Sequence, residues 1–137
     1  MSGFRDPLEQ ARLYRKGRTY SQISDGKNKL IKLGRRDLAN LIDIAGKQQG
    51  LNILTNALPG QSIHEYGYAI DFAPFNDDGT VEWDDESKYE TCAKVFKRYG
   101  FDCGFYWVSF HDNPHIQITE GLKWRDLIKG ERPSFDK

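Results

Sequence analysis

The chain has 137 residues, with twenty Lys plus Arg balanced by twenty Asp plus Glu, so its formal net charge at pH 7 is zero. That length fits one domain with one core, and the charge balance leaves no global field to hold a nucleic acid or an anionic membrane; recognition has to come from a local site. No run of about 18 apolar residues offers a membrane span, the first residues read as carrying no export signal, and Cys92 and Cys103 are too few for a disulfide scaffold and are read as free thiols.

Asp6-Pro7-Leu8-Glu9 places a capping residue, a proline and an acid where a helix begins, and Gly17 marks its end, which predicts a helix from about Pro7 to Lys16. Residues 18–32, rich in Ser, Gly, Lys and Asn, show no clean period and read as a loop. Their cations Lys27, Lys29 and Lys32, with Arg35 and Arg36, read as a solvated face. Leu38, Leu41, Ile42 and Ala45 fall at i, i+3, i+4 and i+7, the stripe of a second helix closed by Gly46 or Gly50. Leu51–Thr55 is β-prone, and Leu58-Pro59-Gly60 is a turn.

Tyr68–Phe72 alternates, setting Ile70 with Tyr68 and Phe72 on one face and Asp71 with Ala69 and Ala73 on the other. Asn76–Gly79 reads as a turn, and Tyr89, Cys92, Ala93 and Phe96 repeat the helical stripe until Gly100. Phe105–Phe110 and His115–Ile118 are strand candidates, and Trp124–Lys129 is a short final helix. Helices and strands mix without βαβ regularity. The expectation is therefore an α+β fold, a small antiparallel sheet flanked by about three to four helices, in a single domain spanning residues 1–137.

The three histidines, His64, His111 and His115, concentrate any metal chemistry in two short stretches. In the first, His64 and Asp71 flank Gly67, a residue able to make the tight bend that brings both side chains to one point. In the second, Pro114 forbids the helix that a His111/His115 pair at i, i+4 needs. It also favours a strand on which His115 and Gln117 share one face while Ile116 and Ile118 enter the core. Two histidines and an aspartate leave a fourth tetrahedral position open, the arrangement of a catalytic zinc; isolated histidines serving packing or surface hydrogen bonds are the alternative. Asp112, three residues before His115, is placed to take a proton from the attacking water and pass it to a leaving amine.

Ser62-Ile63-His64 with Gly67, Ala69 and Asp71, followed by Asp112-Asn113-Pro114-His115, resemble the signature of the D-Ala-D-Ala carboxypeptidase and L-alanyl-D-glutamate endopeptidase family of zinc peptidases, which includes many bacteriophage endolysins. Ser2-Gly3-Phe4-Arg5 with Gln10, Leu13, Tyr14 and Gly17-Arg18-Thr19 resemble its opening segment. Trp107-Val108-Ser109-Phe110 resemble the stretch before its last ligand, and Gly121–Arg125 through Arg132-Pro133 resemble the tail of its endopeptidase branch.

The resemblance implies Zn2+ held by His64, Asp71 and His115, Asp112 as general base and acid, and Arg5 polarising the scissile carbonyl. Ser62 is expected to bind substrate or buttress His64, and Gln117 to line the cleft or orient a ligand. The implied activity is that of a peptidoglycan hydrolase acting as a monomer on the stem peptides of the bacterial cell wall, cutting the L-alanyl-D-glutamate bond, in the manner of a lysin released from a host cytoplasm. A D,D-carboxypeptidase, a D-Ala-D-Ala dipeptidase and an inactive wall-binding module are the alternatives. An extra stretch of about thirty residues, roughly 20–50, lies between Gly17-Arg18-Thr19 and Ser62, where the family usually passes quickly. They read as an insertion whose helix packs against the sheet, or whose basic loop forms a lid over the cleft.

Overall fold

The computed structural model describes residues 3–136; Met1, Ser2 and Lys137, including the first residue of the Ser2–Arg5 motif, lie outside the described residues. The fold is α+β, as expected, with two apolar clusters, one among helices and one between a helix and a sheet.

The helical half is built from α1 (Pro7–Arg15), α2 (Tyr20–Lys32) and α3 (Arg36–Ala45). Helix α1 starts as its sequence requires: Pro7 occupies the first turn, and the Asp6 carboxylate accepts the Leu8 N–H at 2.8 Å. Helix α3 carries its stripe inward, burying Leu38 and Ile42, and ends at Gly46 with φ of 63°. It packs on α1 and α2 rather than on the sheet, which corrects the docking expected for it.

Helix α2 is the larger correction, since nearly all of the stretch 18–32, from Tyr20 to Lys32, is a helix and not a loop. Thr19 and Gln22 form a capping box: the Thr19 hydroxyl accepts the Gln22 N–H while the Gln22 carbonyl oxygen accepts the Thr19 N–H. The buried face is Ile23, Gly26 and Leu30, an i, i+3, i+7 stripe whose middle member has no side chain to announce it. Gly26 is there for a steric reason. A Cβ at this position would lie 2.4 Å from the Tyr14 hydroxyl and 2.9 Å from Leu58 Cδ2, so α1 and α2 approach only because one of them is bare at the contact. The cations do not form a purely solvated face either. Lys27 pairs with Asp43 at 2.8 Å, and the Arg35 guanidinium bridges both Asp37 oxygens and the carbonyl of Ile128.

The second half sets α4 (Glu86–Arg98) across a three-stranded antiparallel sheet of β1 (Ala69–Asp71), β2 (Asp102–Cys103) and β3 (His115–Gln117), in the order β1-β3-β2. Phe72, Tyr89, Ala93, Cys103 and Ile116 form the buried cluster between them, with Ile70 and Phe96 packed against it. The turn at Asn76–Gly79 forms as its residues dictate, closed by the Gly79 N–H on the Asn76 carbonyl. A one-turn helix α5 (Trp124–Leu127) follows β3 and buries Leu127; the neighbouring Ile128 joins the helical cluster. Both cysteines are free.

Two strand expectations fail. Leu51–Thr55 makes no ladder, and Leu51, Ile53 and Leu54 are exposed, because no strand lies beside the segment to pair with it. Phe105–Phe110 is not extended; a 3-10 turn covers Gly104–Tyr106, and the remaining aromatics bend outward to the rim of a cleft, Phe110 at φ of 55°. The sheet's second neighbour is instead the short Asp102–Cys103 strand just before it. No helix among the described residues is long and apolar enough to cross a membrane.

The contact at Gly26 gives a prediction with a definite sign. Alanine in a helix interior normally gains about 1 kcal/mol over glycine. Here Gly26→Ala is expected to lose about 1–3 kcal/mol by overpacking against Tyr14 and Leu58. Urea unfolding checks this, and a stabilised variant would contradict the packing described.

Candidate metal and catalytic site

The face of the sheet turned away from α4 carries the chemistry. Register pairs Asp71 of β1 directly with His115 of β3, and Ala69 with Gln117, so on β3 Ile116 enters the core while His115 and Gln117 point the other way. Ile118, expected to follow Ile116 inward, is only half-buried, its N–H bonded to the Tyr68 carbonyl. His64 arrives from a 3-10 turn, Ile63–Tyr66, that ends on Gly67 with φ of 78°, the bend needed to turn the chain straight into β1.

His64, Asp71 and His115 converge so that one ligand atom from each lies within 4.8 Å of the others. His64 Nε2 and His115 Nδ1 each sit 3.4 Å from Asp71 Oδ1. The far nitrogen of each ring is already engaged: His64 Nδ1 lies 3.0 Å from the Gly3 carbonyl and His115 Nε2 lies 2.8 Å from Gln117 Oε1. Both partners are acceptors, so each ring can donate an N–H outward, and a neutral ring that does so turns its second nitrogen toward Asp71 as a lone pair. The carboxylate oxygen between them is buried and has no hydrogen-bond partner.

With both rings neutral, an oxygen and two nitrogens face one another, a set that a divalent cation satisfies. Ligand atoms about 2.0–2.2 Å from a tetrahedral zinc stand roughly 3.3–3.5 Å apart, the spacing seen at Asp71. The donor set, two imidazoles and one carboxylate, fits such an ion and leaves a position for water. In the metal-free protein burial pushes the Asp71 carboxyl up, but hydrogen bonds from His115 and His64, when these rings are protonated toward it, outweigh burial and hold the group well below the usual carboxylate range. Burial lowers His115, and Asp71 with Gln117 more than offsets this, so its net shift is upward.

The convergence lines a cleft of about 640 Å³ together with Arg5, Ser62, Asp112 and Gln117, walled by Trp107, Phe110 and Trp124. Asp112 reaches it by a tight turn in which the Asp112 carbonyl accepts the His115 N–H at 3.1 Å. The same residue's N–H donates to the Gly104 carbonyl, and a Cβ on Gly104 would lie 2.2 Å from the Asp112 carbonyl oxygen, so only glycine lets the two segments close. Partial desolvation in the cleft raises the Asp112 carboxyl; His115 pulls it down and the nearby Asp71 charge pushes it up again.

All seven residues singled out in the sequence therefore line one cleft. His111 is exposed outside it, its ring 5.7 Å from that of Phe105. Lys27, Lys29 and Lys32 do not line the cleft, so the lid expectation finds no support in their placement.

Two residues that sequence reasoning missed hold the site. Gln10, with no exposed surface, accepts from the Arg5 guanidinium at 2.8 Å and donates to the Ala57 carbonyl at 2.7 Å. With the Arg5 N–H bonded to the His64 carbonyl, it fixes Arg5 beside the ligands. Glu65, buried next to His64, accepts the Gly60 N–H with both oxygens and the Ser62 N–H with one. Burial pushes its carboxyl up to about 7 against these backbone donors. The pattern Ser62-x-x-Glu65 is a readable signal of a capped turn; Gln10 belongs to the segment that resembles the family's opening, but its contact with Arg5 is not legible there.

Residues 55–118 match the D-alanyl-D-alanine carboxypeptidase family. The chain is also 33% identical over 124 residues to the peptidoglycan L-alanyl-D-glutamate endopeptidase CwlK of Bacillus subtilis (strain 168), an alignment covering 85% of this chain and 57% of that protein. The chain thus spans little more than half the length of this relative.

Glu65→Ala strands the buried Gly60 N–H and frees the loop that carries His64. The expected cost is about 1–3 kcal/mol of unfolding free energy, read from denaturant melts of the metal-free protein.

Proposed function

The chain belongs to the D-alanyl-D-alanine carboxypeptidase family of peptidases, and from that premise we propose that it is a zinc-dependent peptidoglycan hydrolase cutting the L-alanyl-D-glutamate bond of cell-wall stem peptides. The observation that carries this reading is the buried Asp71 oxygen between the His64 and His115 ring nitrogens, next to a carboxylate that is not part of the cluster. The relative named for the same bond supports the choice of substrate.

His64, Asp71 and His115 would hold the zinc, which when bound supplies Lewis-acid polarisation and an acidified water. Asp112 lines the cleft beside these ligands, so its carboxylate takes the proton of the attacking water and returns it to the nitrogen of the departing amine. Arg5, pinned by Gln10, directs a fixed positive charge and several donors to the carbonyl oxygen as negative charge develops there. Ser62 sits on the cleft wall where a stem peptide passes, and Gln117 acts through His115 by accepting its Nε2–H. Trp107, Phe110 and Trp124 offer apolar and aromatic surface to the rest of the peptide. The site needs only one chain, consistent with action as a monomer on the wall, in the manner of a lysin.

A D,D-carboxypeptidase or D-Ala-D-Ala dipeptidase is the second reading, favoured by the description of the matching family. A wall-binding module without activity is the third, and Asp112 speaks against it, since a binder has no use for a carboxylate beside an open metal position. Incubating purified peptidoglycan with the protein, with and without a chelator, and identifying the new amino termini distinguishes them. A new D-glutamyl terminus lost on chelation is expected; release of free D-alanine would move the assignment to the carboxypeptidases.

Asp112→Ala should lower hydrolysis by about 10²–10⁴-fold while one zinc per chain is retained, as measured by metal analysis of the same preparation. Arg5→Lys keeps the charge but loses the fork that Gln10 holds. It should reduce kcat with little change in KM; a variant with wild-type kcat would remove Arg5 from the chemistry.

A further inference from the structure

Behind His115 runs a chain of polar contacts that ends on Asp102. Asp102 and Gln117 are cross-strand partners in the β2-β3 ladder. Gln117 Oε1 lies 2.8 Å from His115 Nε2, and Gln117 Nε2 lies 3.5 Å from Asp102 Oδ2. The other Asp102 oxygen accepts the indole N–H of Trp107 at 2.9 Å, and the Trp107 ring centroid lies 5.1 Å from that of His115.

The donor and acceptor identities make this chain directional. A carboxylate only accepts, so whatever Gln117 turns toward Asp102 must be its NH2. That leaves the amide oxygen for His115, which must then carry its proton on Nε2, and Nδ1 is left as a lone pair facing Asp71. With the amide of Gln117 reversed, its NH2 would meet His115 Nε2, the proton would move to Nδ1, and the nitrogen facing Asp71 could not bind a metal. We propose that Asp102 is a positioning residue that selects the metal-binding tautomer of His115 by fixing the orientation of the Gln117 amide. The indole of Trp107, a donor and never an acceptor, anchors the carboxylate from its other side. This rests on the zinc assignment made above only in its consequence for the metal; the tautomer itself is a property of the metal-free protein.

The isosteric change Asp102→Asn tests it. Trp107 claims the single amide oxygen of the new side chain, which then presents its NH2 to Gln117, and Gln117 has to reverse. Long-range proton–nitrogen NMR of the metal-free protein, at a pH where the ring is neutral, should show His115 protonated on Nε2 in the wild type and shifted toward Nδ1–H in D102N. Zinc titrated against a chromogenic chelator should bind D102N about ten-fold more weakly or worse.

The double variant D102N/Q117E restores the direction of the chain. The carboxylate introduced at position 117 accepts from His115 on one oxygen and from the new amide at position 102 on the other, so both tautomer and zinc affinity should return toward wild type. A residue that merely supports the fold predicts neither the loss in the isostere nor the rescue. Circular dichroism and thermal melts confirm that each variant is folded. An unchanged His115 tautomer in D102N overturns the proposal, and so does a folded double variant that fails to restore it. If the wild type binds no zinc, the metal assignment fails while the NMR result still decides the role of Asp102.

Discussion

Two imidazole nitrogens each stand 3.4 Å from one buried carboxylate oxygen, Asp71 Oδ1, and the three groups come from separate segments of the chain. The surrounding structure has to hold all three at one point. The antiparallel register fixes Asp71 against His115, the αL glycine at position 67 swings His64 onto the same point, and the Gly3 and Gln117 acceptors keep both rings from turning. The residues around the cluster can be understood by whether they supply this constraint or use it.

The strands that impose the register are only two or three residues long, and an isolated ladder of that length has no stability of its own. Its rigidity comes from the other face, where Ile116 and Phe72 interlock with Tyr89 and Ala93 of α4. One β3 residue is therefore committed to the core for each pair committed to the site, and a slip of one position would exchange Ile116 for His115. The hydrophobic packing of α4 thus specifies the polar geometry on the opposite side. The helical half contributes by a separate route: burial of Ala11 and Tyr14 anchors α1, α1 carries Gln10, and Gln10 holds Arg5 over the ligands.

This division explains what could be seen in the sequence. Elements whose signal is local were legible: α1 from Asp6-Pro7, α3 and α4 from their stripes, β1 from its alternation, and β3 from Pro114. The convergence of His64, Asp71 and His115 was legible because so few histidines compete for the role. Helix α2 was not, because its buried stripe runs through Gly26, whose purpose is visible only once Tyr14 stands opposite. Leu51–Thr55 and Phe105–Phe110 have β-prone residues but no neighbour, and propensity without a partner strand does not make a ladder. The roles of Gln10 and Asp102 are not legible for a related reason. A polar residue acquires its role from what the tertiary register puts beside it, and neither has a sequence neighbour that reveals it.

Net charge of zero sharpens the question of how such a chain would select an acidic stem peptide, because no long-range field gathers it. The cleft answers with placement rather than quantity. Among the described residues Arg5 is the Lys or Arg that lines it, positioned by a buried partner, its acidic groups are Asp71 and Asp112, and Trp107, Phe110 and Trp124 add aromatic wall. A pocket of about 640 Å³ is within the range of sites that enclose a few residues of ligand. Apolar walls lower the local dielectric and strengthen each of those few charges. Selectivity in this arrangement depends on the geometry of single groups, so the hydrogen-bond partners that hold Arg5 and His115 matter as much as the groups themselves.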